Sequence, residues 1–278
     1  RKPDGIVHIA IVGPQGSGKG SIQRLIALEA ALSPEILLIG VDGKRGKGIG
    51  YMQAGFSYLA REPEEWEPTV AGVLAELERR ESEPGDDDSF VYRPGRPQIL
   101  LMIDENPVVV AHYPRIARML DEITARGRSL GVGVCLATQK GDGPSFGSTR
   151  TRANIYGQNG WLWAGPAIDA QAKITMLQGF EFDPSTLPQE SGWAAIMGRA
   201  LGSQPVIPGR TLWIPNRLDV QKALDAGASM AEACPFGAVE DWLERDAVQP
   251  ELCPEALEAL GMSERMLRYK LKKYNLKN

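Results

Sequence analysis

Three apolar runs set the frame of this chain: ILLIGVD (36–42), QILLMID (98–104) and VGVCLAT (132–138). Each is continuous rather than alternating, and each ends in a polar residue. Continuous runs suit strands buried on both faces, which is the condition of a parallel sheet. A fourth run, Ile6–Val12, is also β-rich. Between these runs the apolar spacing changes to a helical period, over Ser21–Leu32, Glu64–Ser82 and Val110–Leu130. Strands alternating with helices predict right-handed crossovers and a doubly wound sheet, with ligands at the carboxyl ends of the strands. Past residue 150 the elements shorten. The segments 160–164, 168–177, 192–197 and 211–215 are expected to extend the sheet, and a helical tail starts near Asn216. Gly85–Pro97, rich in Gly, Pro and Asp, reads as an exposed loop. The expected architecture is an α/β domain over residues 1–216, mostly parallel with helices on both faces, and a small helical module over 217–278.

The first strand runs into GPQGSGK, residues 13–19. The pattern G-x-x-x-x-G-K predicts a loop whose backbone N–H groups wrap the phosphates of a nucleotide, with Lys19 reaching the outer phosphates. Strand before and helix after put a helix N-terminus against the anion. Gly13, Gly16 and Gly18 permit positive φ and close phosphate approach. The expected nucleotide contacts are Gly13, Pro14, Gln15, Gly16, Ser17, Gly18, Lys19, Gly20 and Ser21. One position departs from the pattern: the residue after Lys19, usually a hydroxyl ligand of Mg²⁺, is Gly20. Either Ser21 supplies that hydroxyl from one residue further on, or the metal is held through water. Nucleotide binding is therefore better supported than hydrolysis.

Two further strand ends carry chemistry. LLMIDE (100–105) ends in Asp-Glu. In ATPases with this loop such a pair puts the Asp beside Mg²⁺ and uses the Glu to polarise the attacking water, so Asp104 and Glu105 take those roles. LATQK (136–140) offers Gln139 as a sensor of the γ-phosphate or the lytic water. The expected cofactors are ATP and Mg²⁺.

Composition narrows this further. With 278 residues, 43% apolar and 24% charged, the chain fits a globular domain plus an appendage. No apolar run approaches the ~20 residues that span a bilayer, and the N-terminus lacks a signal-peptide cleavage pattern. Three sparse cysteines without C-x-x-C spacing fit a reducing cytosol, and Cys135 reads as core packing. The chain starts at Arg1 rather than Met, so a fragment or processed form is expected, and an anchor at the inner face of the membrane stays open. Net charge is −4, which argues against a uniformly basic nucleic-acid binder, yet Arg265–Asn278 carries six Lys/Arg and no acid.

The order of the motifs resembles the motor domain of the FtsK/SpoIIIE family of hexameric double-stranded DNA translocases. That family has a phosphate loop, a strand ending D-P-K, an I-D-E strand, a helix ending A-R-A-A-G, then L-A-T-Q-R-P and K-A-N-I-P. Here the pieces are GPQGSGKG, VDGKRG, LLMIDE, ARGRSLGVGVCLATQK and TRANI, and ESGWAAIMG (190–198) is similar to the family's G-x-G-D-M-L segment. The resemblance covers about residues 5–215. It implies a RecA-like P-loop NTPase fold, a homo-hexameric ring, duplex DNA as partner, and Arg128 as a finger reaching a neighbouring subunit's γ-phosphate. Arg126 competes for that role. Conjugative plasmid transfer proteins of actinobacteria are one attractive sub-family. Gly20, Lys140, Gly141 and the missing Asp in GWAAIM depart from the family pattern.

The tail, 256–276, reads as two helices joined at Gly261-Met262-Ser263, with Ser263 as N-cap of the second. Arg265, Arg268, Lys270, Lys272 and Lys273 stay outside a small core of Leu257, Leu260, Met266 and Leu267. This is helix-turn-helix spacing and resembles Fis-type regulators, so these five cations are the expected DNA contacts. An ordinary basic helical pair packed on the motor remains the alternative. Three functions follow for the whole: a DNA-translocating ATPase, a nucleotide-gated binding protein that hydrolyses little, and a protein-export ATPase related to the same motors.

Overall fold

The apolar runs become neighbouring strands of one sheet. The structure, a computed structural model, describes residues 6–33, 35–83, 90–93, 96–157, 160–166, 182–198 and 206–211. In chain order the elements are β1 (Ile9–Val12), α1 (Lys19–Leu32), β2 (Ile36–Asp42), β3 (Tyr58–Ala60), α2 (Pro63–Ser82), β4 (Gln98–Asp104), α3 (Asn106–His112), α4 (Pro114–Arg126), β5 (Val132–Thr138), α5 (Thr149–Gly157), β6 (Trp161–Ala164), β7 (Trp193–Met197) and β8 (Val206–Arg210). The eight strands lie in the order β3-β2-β4-β5-β1-β6-β7-β8. All pairings from β3 through β6 are parallel, and β7 and β8 are added antiparallel at the edge.

Both faces of the sheet are covered, which is why its central strands are apolar throughout. On one face Ile11, Leu38, Leu100, Met102 and Cys135 pack with Ala27 and Leu28 of α1 and with Met52 and Phe56. On the other, Val12, Val41, Leu101, Ile103 and Val134 pack under Trp66 and Val70 of α2, Val109 of α3 and Leu120 of α4. Alternate residues of each strand supply the two clusters, as the pleat requires. The expected mostly parallel sheet with helices on both faces is what forms. Cys135 is buried in it, and burial pushes its thiol up to about 12, so it packs rather than reacts.

Two expectations need correction, and one strand was not foreseen. The helical period over 110–130 is broken at Tyr113-Pro114 into α3 and α4, because proline displaces the preceding residue from helical geometry. A tight turn, Gly127–Leu130, then replaces the last helical turn. β8, Val206–Arg210, is a strand the sequence did not announce and pairs with β7; of the expected 211–215 only Thr211 is described, and 212–215 lie outside the described part. The stretch 85–97 is not wholly exposed. Phe90 ahead of Arg93 is buried between the guanidiniums of Arg80 and Arg96, each 5.1 Å from its ring centre. The segment 168–177, the boundary at 216 and the whole tail, including Arg265, Arg268, Lys270, Lys272 and Lys273, lie outside the described residues. Among the described residues no helix is long and apolar enough to cross a membrane.

Candidate nucleotide site

The central position of β1 places the loop that follows it at the carboxyl edge of the sheet. Gly13 N–H donates to Thr138 O at 3.2 Å, so the loop leaves beside the end of β5. It turns through Gly16 (φ 80°) and Gly18 (φ 103°), both left-handed, and enters α1. Gly13 is not in that region. Its lack of a side chain serves packing instead, since a Cβ there would lie 2.6 Å from Ser17 Oγ. Ser17 Oγ is buried under the loop without a hydrogen-bond partner, so Ser17 offers a ligand its backbone rather than its hydroxyl. Gly18 is the N-cap of α1 and offers no side-chain cap. Ser21 N–H turns back to Gly18 O at 2.9 Å, and the amides ahead of it, at Lys19 and Gly20, precede the helical ladder, which makes the helix N-terminus an anion site. The turn before β7 braces the loop from the side: Gly192 N–H donates to Ser17 O at 2.8 Å, and a Cβ on Gly18 would come within 2.7 Å of Gly192 N.

Lys19 folds back over the loop. Its Nζ donates to Gly13 O at 2.7 Å and Pro14 O at 3.0 Å. Burial holds its pKa below the ordinary lysine value, while the charges of Glu105 and Asp104 pull the other way. Those carboxylates stand one strand beyond β5. Asp104 is the last residue of β4 and is 2% exposed. Glu105 leaves the strand in the left-handed region (φ 50°, ψ 53°) and heads α3. A non-glycine residue there costs on the order of 1 kcal/mol or more, and its surroundings must hold it. Gln139, just past the end of β5, donates to Glu105 Oε2 at 3.4 Å. Lys19, Asp104, Glu105 and Gln139, four residues singled out in the sequence, are therefore gathered at one edge.

Two residues of this site were given no role by sequence reasoning. Asp42, the last residue of β2, pairs in register with Asp104 and is fully buried. Its Oδ1 accepts from Lys44 N, and its Oδ2 accepts from the amides of Gly48, Ile49 and Gly50, at 2.8–3.2 Å. It thus ties both ends of the 43–50 loop to the sheet. Lys44, in that loop, sets its ammonium between the two carboxylates, 3.1 Å from Asp104 Oδ2 and 2.9 Å from Glu105 Oε1. Burial alone would lower the Lys44 pKa, but the bonds and charges of Glu105 and Asp104 outweigh it and hold it above the lysine value. Glu105 is likewise lowered: burial opposes ionisation, and the Lys44 bond overcomes it. Asp104 is raised, because its burial outweighs the help of Lys44. The only signal in the sequence was the D-G-K piece itself.

Of the residues expected around Mg²⁺, Asp104 stands in the acidic pair at the end of β4 and Ser21 in the first turn of α1. Asp104 Oδ2 is taken by an ammonium, and position 20 has no hydroxyl. Ser21 stands about 100° further round α1 than residue 20, so the two positions face different directions. Among the described residues no group of three His, Cys, Asp or Glu side chains can hold a metal.

The arginines sit elsewhere. Arg128 lies in the turn that precedes β5, hence at the amino edge of the sheet, near enough for its charge to act on His8. The phosphate loop follows the opposite, carboxyl end of β1, so Arg128 does not reach its own chain's loop. Arg126 is engaged with Glu81 of α2 and, at 3.4 Å, with Glu122. Arg152 of TRANI donates to Gly141 O at 2.5 Å and lies over the Tyr156 ring.

No protein-family model matches the chain, and no curated protein matches it. Solved structures do resemble it. The conjugation coupling protein TcpA of pCW3, in monomer form with ATPγS, superposes with a TM-score of 0.61 at 17% identity over 79% of this chain and 65% of that one. EssC (ATPases 2 and 3) from Geobacillus thermodenitrificans gives 0.65 at 17% identity, over 82% and 45%. EccC (ATPases 2 and 3) from Thermomonospora curvata, in complex with a signal sequence peptide, gives 0.59 at 17% identity, over 82% and 42%. The chain thus spans about two thirds of the first and less than half of the other two. At this identity the likeness establishes the fold, that of RecA-like P-loop ATPases.

Proposed function

We propose that the chain is the ATP-hydrolysing part of a motor that moves double-stranded DNA, as in conjugative transfer or chromosome segregation. The observation that carries this is the gathering of Lys19, Asp104, Glu105 and Gln139 beside an uncapped helix N-terminus. The triphosphate lies on the amides at the start of α1, and Lys19 leaves the carbonyls of Gly13 and Pro14 for the outer phosphates. A carboxylate held ionised, Glu105, orients water against the γ-phosphate, and Gln139 links that carboxylate to the end of β5. Mg²⁺ comes with the nucleotide as its counter-ion, and no step is assigned to it. Arg128 stands at the opposite edge of the sheet from its own site, a position open to the role of completing the site of a neighbour in a ring, and a guanidinium grips phosphate oxygens in pairs. The order of motifs and the fold shared with a conjugation coupling protein support duplex DNA as the polymer. The basic tail is the module expected to contact it.

The test is nucleotide turnover by the full chain with and without linear duplex DNA. Turnover that DNA stimulates, and that Glu105→Gln lowers about 100-fold or more with nucleotide binding kept, is the expected result. Absence of nucleotide binding by the wild-type chain would refute the proposal. The fold shared with EssC and EccC favours one second reading, a polypeptide-handling ATPase. Stimulation by a peptide and indifference to DNA would select it.

A further inference from the structure

The 43–50 loop is built onto the acidic pair. A Cβ on Gly48 would lie 2.1 Å from Asp104 Oδ2, and one on Gly43 2.6 Å from Asp104 O, so only glycine lets the loop come this close. Asp42 fixes the main chain at Lys44 and at 48–50. What remains free to move is the Lys44 stem, whose side chain is 45% exposed while its partners Asp104 and Glu105 are 3% and 11% exposed. Lys44 and Lys19 are close enough for each ammonium to act on the other electrostatically. Two cations therefore act on Glu105, Lys44 by direct contact and Lys19 through its charge. While Lys44 rests on Glu105 Oε1, its bond and positive charge make that oxygen a weaker base toward water.

From this geometry we propose that Lys44 is a second phosphate-binding lysine, whose ammonium passes from Asp104 and Glu105 to the γ-phosphate when a nucleoside triphosphate enters. The inference rests on the ATP reading above and deepens it. A γ-phosphate brings more negative charge than either carboxylate, and the flexible stem of lysine lets one point charge change partners without moving the loop. The exchange frees Glu105 for water only when a third phosphate is present. A nucleoside diphosphate, which ends short of the acidic pair, leaves the ammonium where it is.

The experiment compares affinities for ATPγS and ADP, by calorimetry on the full chain, in wild type, Lys44→Met and Lys44→Arg. The expected result is that Lys44→Met weakens ATPγS about tenfold and leaves ADP within about twofold, and that Lys44→Arg restores most of the preference. Equal losses for both nucleotides, or no loss for either, with wild-type binding intact, overturn the role of Lys44 and leave the ATP reading standing. A wild-type chain that binds neither nucleotide overturns both. Thermal melting of Lys44→Met within about 2 °C of wild type shows that the variant is folded.

Discussion

Two loops at the carboxyl edge of the sheet share a composition and differ in what they hold. Residues 13–20 read GPQGSGKG, and residues 43–50 read GKRGKGIG. Each follows a parallel strand, each bends at glycines of positive φ (the second at Arg45 as well), and each carries a lysine within electrostatic reach of Asp104 and Glu105, Lys44 in contact and Lys19 folded back on its own loop. In the second loop the amides of Gly48, Ile49 and Gly50 converge on Asp42 Oδ2. That concavity already contains an anion, supplied by the chain. In the first loop no side chain caps the helix that follows. Glycine-rich spacing thus says how closely backbone amides can approach a negative charge. It does not say whether the charge belongs to the protein or to a ligand.

The comparison breaks most visibly at Asp42. Asp42→Ala removes the acceptor of four amides and leaves them facing a buried space, so it should lower unfolding free energy by about 4 kcal/mol, read by denaturant titration. Asp42→Asn, which keeps one accepting oxygen, should cost less. A loss under about 1 kcal/mol for the alanine variant would show that the second loop does not depend on its internal anion.

The scaffold that both loops share has its own pH dependence, set at the amino end of β1. Val134 N–H can only donate, so His8 Nδ1 accepts from it, and Nε2–H donates to Thr124 O at 3.1 Å. Burial holds the neutral ring and lowers its pKa to about 4. Unfolded His takes its proton near 6.5, and folded His8 does not until about 4. Its contribution is therefore full above about 6.5 and lost as pH falls through that window, by roughly 3 kcal/mol at most. In Gln at position 8 this slope should be absent. An unchanged slope between pH 6.5 and 4 in His8→Gln would assign the acid sensitivity to other groups.

Lys19 and Lys44 separate the loops by ligand. Lys19→Ala should weaken ATPγS by about 100-fold while leaving melting nearly unchanged, because Lys19 bonds only carbonyls of its own loop in the ligand-free chain. If Lys19→Ala instead melts early and still binds nucleotide, the first loop is held together by its lysine as the second is by its aspartate, and the contrast between them disappears.

How much of this was readable in the sequence depends on what each residue answers to. β2, β4 and β5 begin and end where their apolar runs do, because strands covered on both faces leave no polar position inside. The site residues that bond or face the ligand space, Lys19, Asp104, Glu105 and Gln139, were legible from motif order at strand ends. β8 was not, since VIPGR carries proline and glycine and survives only as the sheet's antiparallel edge. The break before α4 was written in Pro114 but masked by a helical period that continues across it. Asp42 and Lys44 escaped for a different reason. Their roles come from the register that sets Asp42 beside Asp104, 62 positions away, and Lys44 beside Asp104, 60 positions away, relations that no local spacing contains.

The smallest expected effect is at position 20, where the first loop departs from its own pattern. A Cβ added to Gly20 meets nothing nearer than Arg24 Nη2 at 3.8 Å, so Gly20→Ser fits without displacement, and serine is a better helix residue than glycine. The hydroxyl would stand in the position the pattern reserves for a metal ligand. The ratio of ATPγS affinity with Mg²⁺ to that with chelator should then rise about threefold or more over wild type. Ser21→Ala is the matched variant. Because residue 21 faces about 100° away from residue 20, its loss should leave that ratio unchanged. If Ser21→Ala lowers the ratio and Gly20→Ser does not raise it, the hydroxyl has moved one residue along the chain. The first loop then holds its counter-ion by a route that its pattern does not describe, as the second loop holds its anion.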